Sequence, residues 1–125
     1  TGKQYSVRQF IEWTATELGM QIRWEGKGVN EVGFWLNPPL APAEQGKAGG
    51  LPLPVPVVRI DLRYFRPAEV ETLLGDPTKA KTKLGWTPEI TAQEMCKEMV
   101  VNDLAQAKQH ALLKRHGFQV NVSVE

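Results

Sequence analysis

The sequence predicts a mixed α/β fold: a few strands, about four helices, one domain over residues 1–125 and no complete Rossmann domain. Three observations carry that prediction. Two capping boxes, Ser6–Gln9 and Thr91–Glu94, each open a stretch of apolar residues at helical spacing. Two short segments, Met20–Glu25 and Val57–Leu62, alternate apolar with polar residues as half-buried strands do. No G-x-G-x-x-G run leads from a strand into a helix, so the dinucleotide fingerprint is missing from these residues.

In chain order, Ser6 caps a helix whose apolar side is Val7, Phe10, Ile11, Thr14 and Leu18, with Gly19 as its left-handed stop. The strand over 20–25 places Met20, Ile22 and Trp24 on one face. Gly26-Lys27-Gly28 is a loop, because two glycines in three residues cost a regular element too much backbone entropy. Phe34 to Pro56 holds six of the nine prolines and reads as irregular. Trp35 and Leu36 should pack its near end, and the tip at Ala43–Gly50 should be mobile. Val58, Ile60 and Leu62 alternate along the next strand. Pro67 then suits the first turn of a short helix with Ala68 and Glu69. Val70 to Leu74 reads either as a strand or as an extension of that turn. Asp76 as N-cap and Pro77 at the first position open a helix over 78–84 that Gly85 ends. The last helix runs from Thr91 to Arg115, about 37 Å at ~1.5 Å per residue. Its stripe is Met95, Met99, Val100, Leu104, Ala107, Ala111 and Leu112, and Gly117 terminates it. Apolar positions exposed on so long a helix would suit packing against something absent from this chain.

Composition excludes several functions. Hydrophobic residues at 42% and charged residues at 23% are ordinary for a globular domain. A net charge of +1, with the 15 basic residues spread along the chain, argues against nucleic acid or an anionic membrane as partner. A single cysteine, Cys96, cannot form an intrachain disulfide and fits a reducing, cytoplasmic setting. It lies on an apolar stripe and should be a buried small side chain rather than a nucleophile. No apolar run approaches the ~20 residues of a membrane span. The start, Thr-Gly-Lys-Gln-Tyr, has neither an apolar leader nor an initiator Met, so the expectation is a chain that begins inside a longer polypeptide or has been processed. His110 and His116 have no ligating pattern around them, and no metal is expected.

The chemistry-bearing candidates cluster after the strand at 57–62. Arg66 offers paired planar donors that match two phosphate oxygens. Glu69, three residues on, shares a helical face with it and can accept from both hydroxyls of a ribose. An exposed local ion pair worth ~0–1 kcal/mol is the other reading of the same two residues. Arg63 and Tyr64 either line the same pocket or, for the aromatic, join the core. Trp13, Trp24, Trp35 and Trp86 read as packing residues, with Trp86 pinning the helix before it. The glycines of Gly26–Gly33 permit close approach to a ligand or a neighbouring domain, and a tight loop between two strands explains them equally well.

The stretch Asp61–Trp86, DLRYFRPAEVETLLGDPTKAKTKLGW, together with Tyr5-Ser6-Val7-Arg8-Gln9-Phe10 and Gly26–Gly33, resembles the C-terminal part of the GDP-mannose 4,6-dehydratase family. That family is a branch of the extended short-chain dehydrogenase/reductases. The resemblance implies that Arg66 grips the pyrophosphate of GDP-mannose and Glu69 its ribose, with GDP as a ligand. It further implies that NADP is bound by an N-terminal Rossmann domain absent from this segment, and that the whole protein is a homo-oligomer. The family's reaction needs a Tyr-x-x-x-Lys pair, whereas Tyr5 and Tyr64 are followed at the fourth position by Gln9 and Ala68. The segment itself is therefore expected to be inactive and to bind no cofactor. The Arg-x-x-acid, Gly-Asp-Pro and Leu-Gly-Trp elements occur throughout the branch. A GDP-6-deoxy-4-keto-mannose reductase or an epimerase is thus the nearest alternative, and a non-catalytic self-associating module is a more distant one.

Overall fold

The computed structural model describes residues 2–39, 54–66, 68 and 72–120. Their architecture is mixed α/β, with a three-stranded antiparallel sheet and three α-helices. Helix α1 spans Val7–Glu17, strand β1 Ile22–Glu25, β2 Val32–Trp35 and β3 Val55–Arg59. Helix α2 spans Thr78–Leu84 and α3 Ala92–Arg115. The sheet order is β1-β2-β3, so the hairpin of β1 and β2 is extended by β3 along the far edge of β2.

The helix ends follow from the residues that cap them. Ser6 Oγ accepts from the Gln9 amide at 3.1 Å. At α3 the full capping box forms: the Glu94 amide donates to Thr91 Oγ1 at 3.2 Å, and the Thr91 amide donates to Glu94 Oε2 at 2.8 Å. Helix α1 closes with Met20 N–H on the Ala15 carbonyl at 2.8 Å and Gly19 N–H on Thr16 at 3.0 Å. The end of α3 repeats this with Phe118 on Leu113 and Gly117 on Lys114. These paired bonds satisfy carbonyls that a helix end leaves open, and they need the left-handed backbone that Gly19 and Gly117 adopt at φ 68° and 80°.

Helix α1 packs against α3, and the buried apolar side chains among the described residues are Ala15, Cys96 and Val100. Cys96 is fully buried, with Sγ 3.3 Å from the Thr14 hydroxyl, which bears out its reading as a core residue. Burial of a side chain such as Val100 stabilises by roughly 1.5–3 kcal/mol, so this contact is a main tie between the first and last helices. A second tie is Asn37, whose carboxamide oxygen accepts from the Gln21 amide at 2.8 Å and the Trp35 indole at 2.9 Å. Its amide nitrogen donates to Gly19 O, fastening the end of α1 to the end of β2.

Several expectations shift. The first strand begins at Ile22, so Met20 closes the helix instead of joining the sheet. The irregular region starts later than Phe34 and ends earlier than Pro56: Phe34 and Trp35 belong to β2, while Val55 and Pro56 belong to β3. Pro56 is tolerated because β3 is an edge strand and the pairing slips between Gly33 and Phe34. The expected strand over 57–62 stops at Arg59, and Leu62–Tyr64 form a 3-10 turn. Asp76 caps the start of α2 by accepting from the Thr78 amide at 2.9 Å, with the helix beginning one residue after Pro77. Of the short helix expected at Pro67–Glu69 only Ala68 is among the described residues, where the backbone is a bend and not a helix, and the tip at Ala43–Gly50 falls outside them. Of the segment left open between strand and turn, Thr72 to Leu74 adopt neither.

Candidate functional site

The segment that leaves β3 is shaped by Asp61. Its carboxylate accepts from the Arg63 amide at 2.9 Å, and its carbonyl accepts from the Tyr64 amide at 3.0 Å, together winding the 3-10 turn Leu62–Tyr64. The same carboxylate takes the Arg63 side chain, with Nε 3.0 Å and Nη2 2.6 Å from Oδ2. The Arg63 guanidinium also stands over the Tyr64 ring, 5.5 Å from its centre. The side-chain bond from Arg63, then the backbone bond, hold the Asp61 carboxyl below its ordinary range, and the Asp61 bond raises Arg63 in turn. Both stay charged at neutral pH.

Arg66 follows this turn, one residue beyond Phe65, on an exposed stretch of backbone. From the sequence, Arg66 is expected directly after a strand. The structure instead inserts a capped turn: pairing with β2 ends at Arg59, opposite Val32, and the Asp61 side chain then captures the Arg63 amide. Glu69, its expected companion, lies outside the described residues. Arg63 is committed to Asp61, and Tyr64 is 77% exposed, so that aromatic is not a core residue. The role of Asp61 had no assignment from sequence, although an acid two residues before the amide it caps is a legible Asx-turn pattern.

The glycines of Gly26–Gly33 meet their own chain. A Cβ on Gly26 would lie 2.3 Å from the Asn30 carbonyl oxygen, and one on Gly33 would lie 3.1 Å from the Trp24 ring and 3.2 Å from Val58 Cβ. The loop joins β1 to β2 through a 3-10 turn at Gly28–Asn30, which is the tight connection between strands. It is anchored to α1 by Arg8, which pairs with Glu31 and lies 4.7 Å from the centre of the Trp24 ring. Trp24 in turn donates its indole N–H to Glu12 at 3.0 Å. Trp13 meets Tyr5 edge-on at 5.0 Å, while Trp86 is half exposed and closes α2 through its backbone amide.

No dinucleotide cradle forms among the described residues: β1 runs into a 3-10 turn and an antiparallel neighbour, not into a helix N-terminus. No group of three or more His, Cys, Asp or Glu among them converges as a metal site. None of the described helices is long and apolar enough to cross a membrane.

Comparison with known proteins identifies the relatives. The family model described as GDP-mannose 4,6 dehydratase matches residues 1–99, which include the whole stretch from Asp61 to Trp86. The chain is 63% identical over its full 125 residues to GDP-mannose 4,6-dehydratase of Vibrio cholerae, covering 32% of that protein. It is 54% identical over the same length to the Yersinia enterocolitica protein of that name, again covering 32% of it. To the human GDP-mannose 4,6 dehydratase it is 42% identical over 104 residues, which are 83% of this chain and 24% of the human protein. The chain thus spans about a third of the length of these two bacterial relatives. On these matches the chain belongs to the GDP-mannose 4,6-dehydratase family.

Proposed function

We propose that these residues form the nucleotide-binding part of a GDP-mannose 4,6-dehydratase, which converts GDP-mannose to GDP-4-keto-6-deoxymannose. The observation that carries this reading is the family match across residues 1–99, with Arg66 delivered by a capped turn at the end of an edge strand. In this reading Arg66 binds the pyrophosphate and Glu69 the ribose of the GDP moiety, holding the hexose end for reaction elsewhere. The residues of this segment bind and orient, and by themselves do not catalyse. NADP, which supplies the redox chemistry, is assigned to the rest of a longer polypeptide, as the family resemblance implies for a segment that spans 32% of its relatives' length.

Exposed apolar side chains support such a remainder. Leu62, Tyr64, Leu73, Leu84 and Ile90 all stand at least 60% open. We assign this surface to contact with the cofactor domain, and a homo-oligomer to the whole protein.

The test is Arg66→Ala, followed by calorimetric titration with GDP. Loss of a charge-assisted contact should cost on the order of 1.5–3 kcal/mol of affinity with little change in stability. Equal affinity in variant and parent would remove Arg66 from the site. Glu69→Gln should weaken GDP more than 2′,3′-dideoxy-GDP, which lacks the hydroxyls that the carboxylate would accept from.

A further inference from the structure

We propose that Asp61 is a positioning residue for Arg66. The inference rests on the reading of Arg66 as the pyrophosphate ligand and adds to it the device that aims it. Between the last strand residue, Arg59, and Arg66 the backbone makes one turn, and Asp61 holds that turn from two atoms. Its Oδ1 accepts from the Arg63 amide at 2.9 Å, and its carbonyl from the Tyr64 amide at 3.0 Å. The turn then closes with Phe65 N–H on the Leu62 carbonyl at 3.3 Å, after which Phe65 is extended and Arg66 begins. Two of these three backbone bonds are accepted by Asp61, and none of the side chains over 60–66 is buried.

The carboxylate also carries the Arg63 side chain, but the two heads are 79% and 42% exposed. An ion pair so open contributes little in water. The backbone cap is consequently the element that matters, and asparagine, which accepts from the same amide in such turns, can replace it.

The test is a set of GDP titrations on the full chain, run as the parent, Asp61→Ala, Asp61→Asn, Arg66→Ala and the double variant Asp61→Ala/Arg66→Ala. Asp61→Ala should weaken GDP about fivefold, the size of a lost cap. Asp61→Asn should restore affinity to within about twofold of the parent. The double variant should bind no more weakly than Arg66→Ala, because Asp61 acts through Arg66 and the effects are then not additive. Parent-like binding by Asp61→Ala, with Arg66→Ala impaired, overturns the positioning role alone. A double variant that loses the further fivefold makes Asp61 merely structural. Asp61→Asn as weak as Asp61→Ala moves the effect to the Arg63 pair and overturns the cap as its route. A parent that ignores GDP, or an Arg66→Ala variant that binds like it, removes the underlying reading and this inference with it.

Discussion

Gly26 and Gly28 share a loop and a left-handed backbone, at φ 83° and 57°, yet alanine should act very differently at the two positions. The left-handed conformation costs an alanine about 1–2 kcal/mol. Reduced freedom of the unfolded chain returns about 0.4–1 kcal/mol. At Gly28 nothing lies within 4 Å of the added Cβ, so the net loss should stay near ~0.5–1 kcal/mol. At Gly26 the Cβ would sit 2.3 Å from the Asn30 carbonyl oxygen. That atom is backbone and cannot rotate away, so the 3-10 turn must open. Its bonds, Asn30 N–H to Lys27 and Glu31 N–H to Gly28 at 3.2 and 3.1 Å, are then loosened at ~1 kcal/mol each. The sum for Gly26→Ala is roughly 3 kcal/mol, or about 10 °C in Tm for a chain of this size. Gly28→Ala should lower Tm by only about 2–4 °C. Thermal unfolding followed by tryptophan fluorescence would read both, since Trp24 and Trp35 sit on the two strands that the loop joins. Equal losses at the two positions would refute the steric argument.

The other stability predictions concern caps and one anchor. Thr91→Ala should cost about 1 kcal/mol and speed amide exchange in the first turn of α3. The Asp76 and Glu94 carboxyls lie below their ordinary ranges, Asp76 mainly through the Thr78 hydroxyl and amide and Glu94 through the Thr91 amide and hydroxyl. Their contribution is complete above the usual carboxylate range and disappears as pH falls through the lower folded values. Acid titration followed by NMR should therefore fray the starts of α2 and α3 only at the acid end, and fraying near neutral pH would contradict the assignment. Arg8→Ala removes both the Glu31 pair and the cation over Trp24, and should cost about 1 kcal/mol in urea unfolding.

The parts of the fold that were legible in the sequence are those fixed locally. The capping box at Thr91, the glycine stops at 19, 85 and 117 and the burial of Cys96 each depend on a few neighbouring residues and are found where expected. Strand β2 was hidden because Val-Gly-Phe-Trp does not alternate. Its glycine is buried under the Trp24 ring of the paired strand, a cross-strand fact that no local pattern carries. Pro56 likewise falls in the stretch that reads as irregular, and its place in β3 depends on the edge position and the slipped register. The end of β3 lies three residues before the expected one because Ile60 and Leu62 continue the alternation, while the partner strand β2 reaches only as far as Val32, opposite Arg59. For the candidate site, the position of Arg66 after the last strand was readable and the turn that delivers it was not.

The most direct test of the nucleotide-binding reading is a calorimetric titration of the unaltered chain with GDP, using UDP as control. The account predicts saturable binding that prefers GDP. A folded chain that binds neither, or both equally, would contradict it.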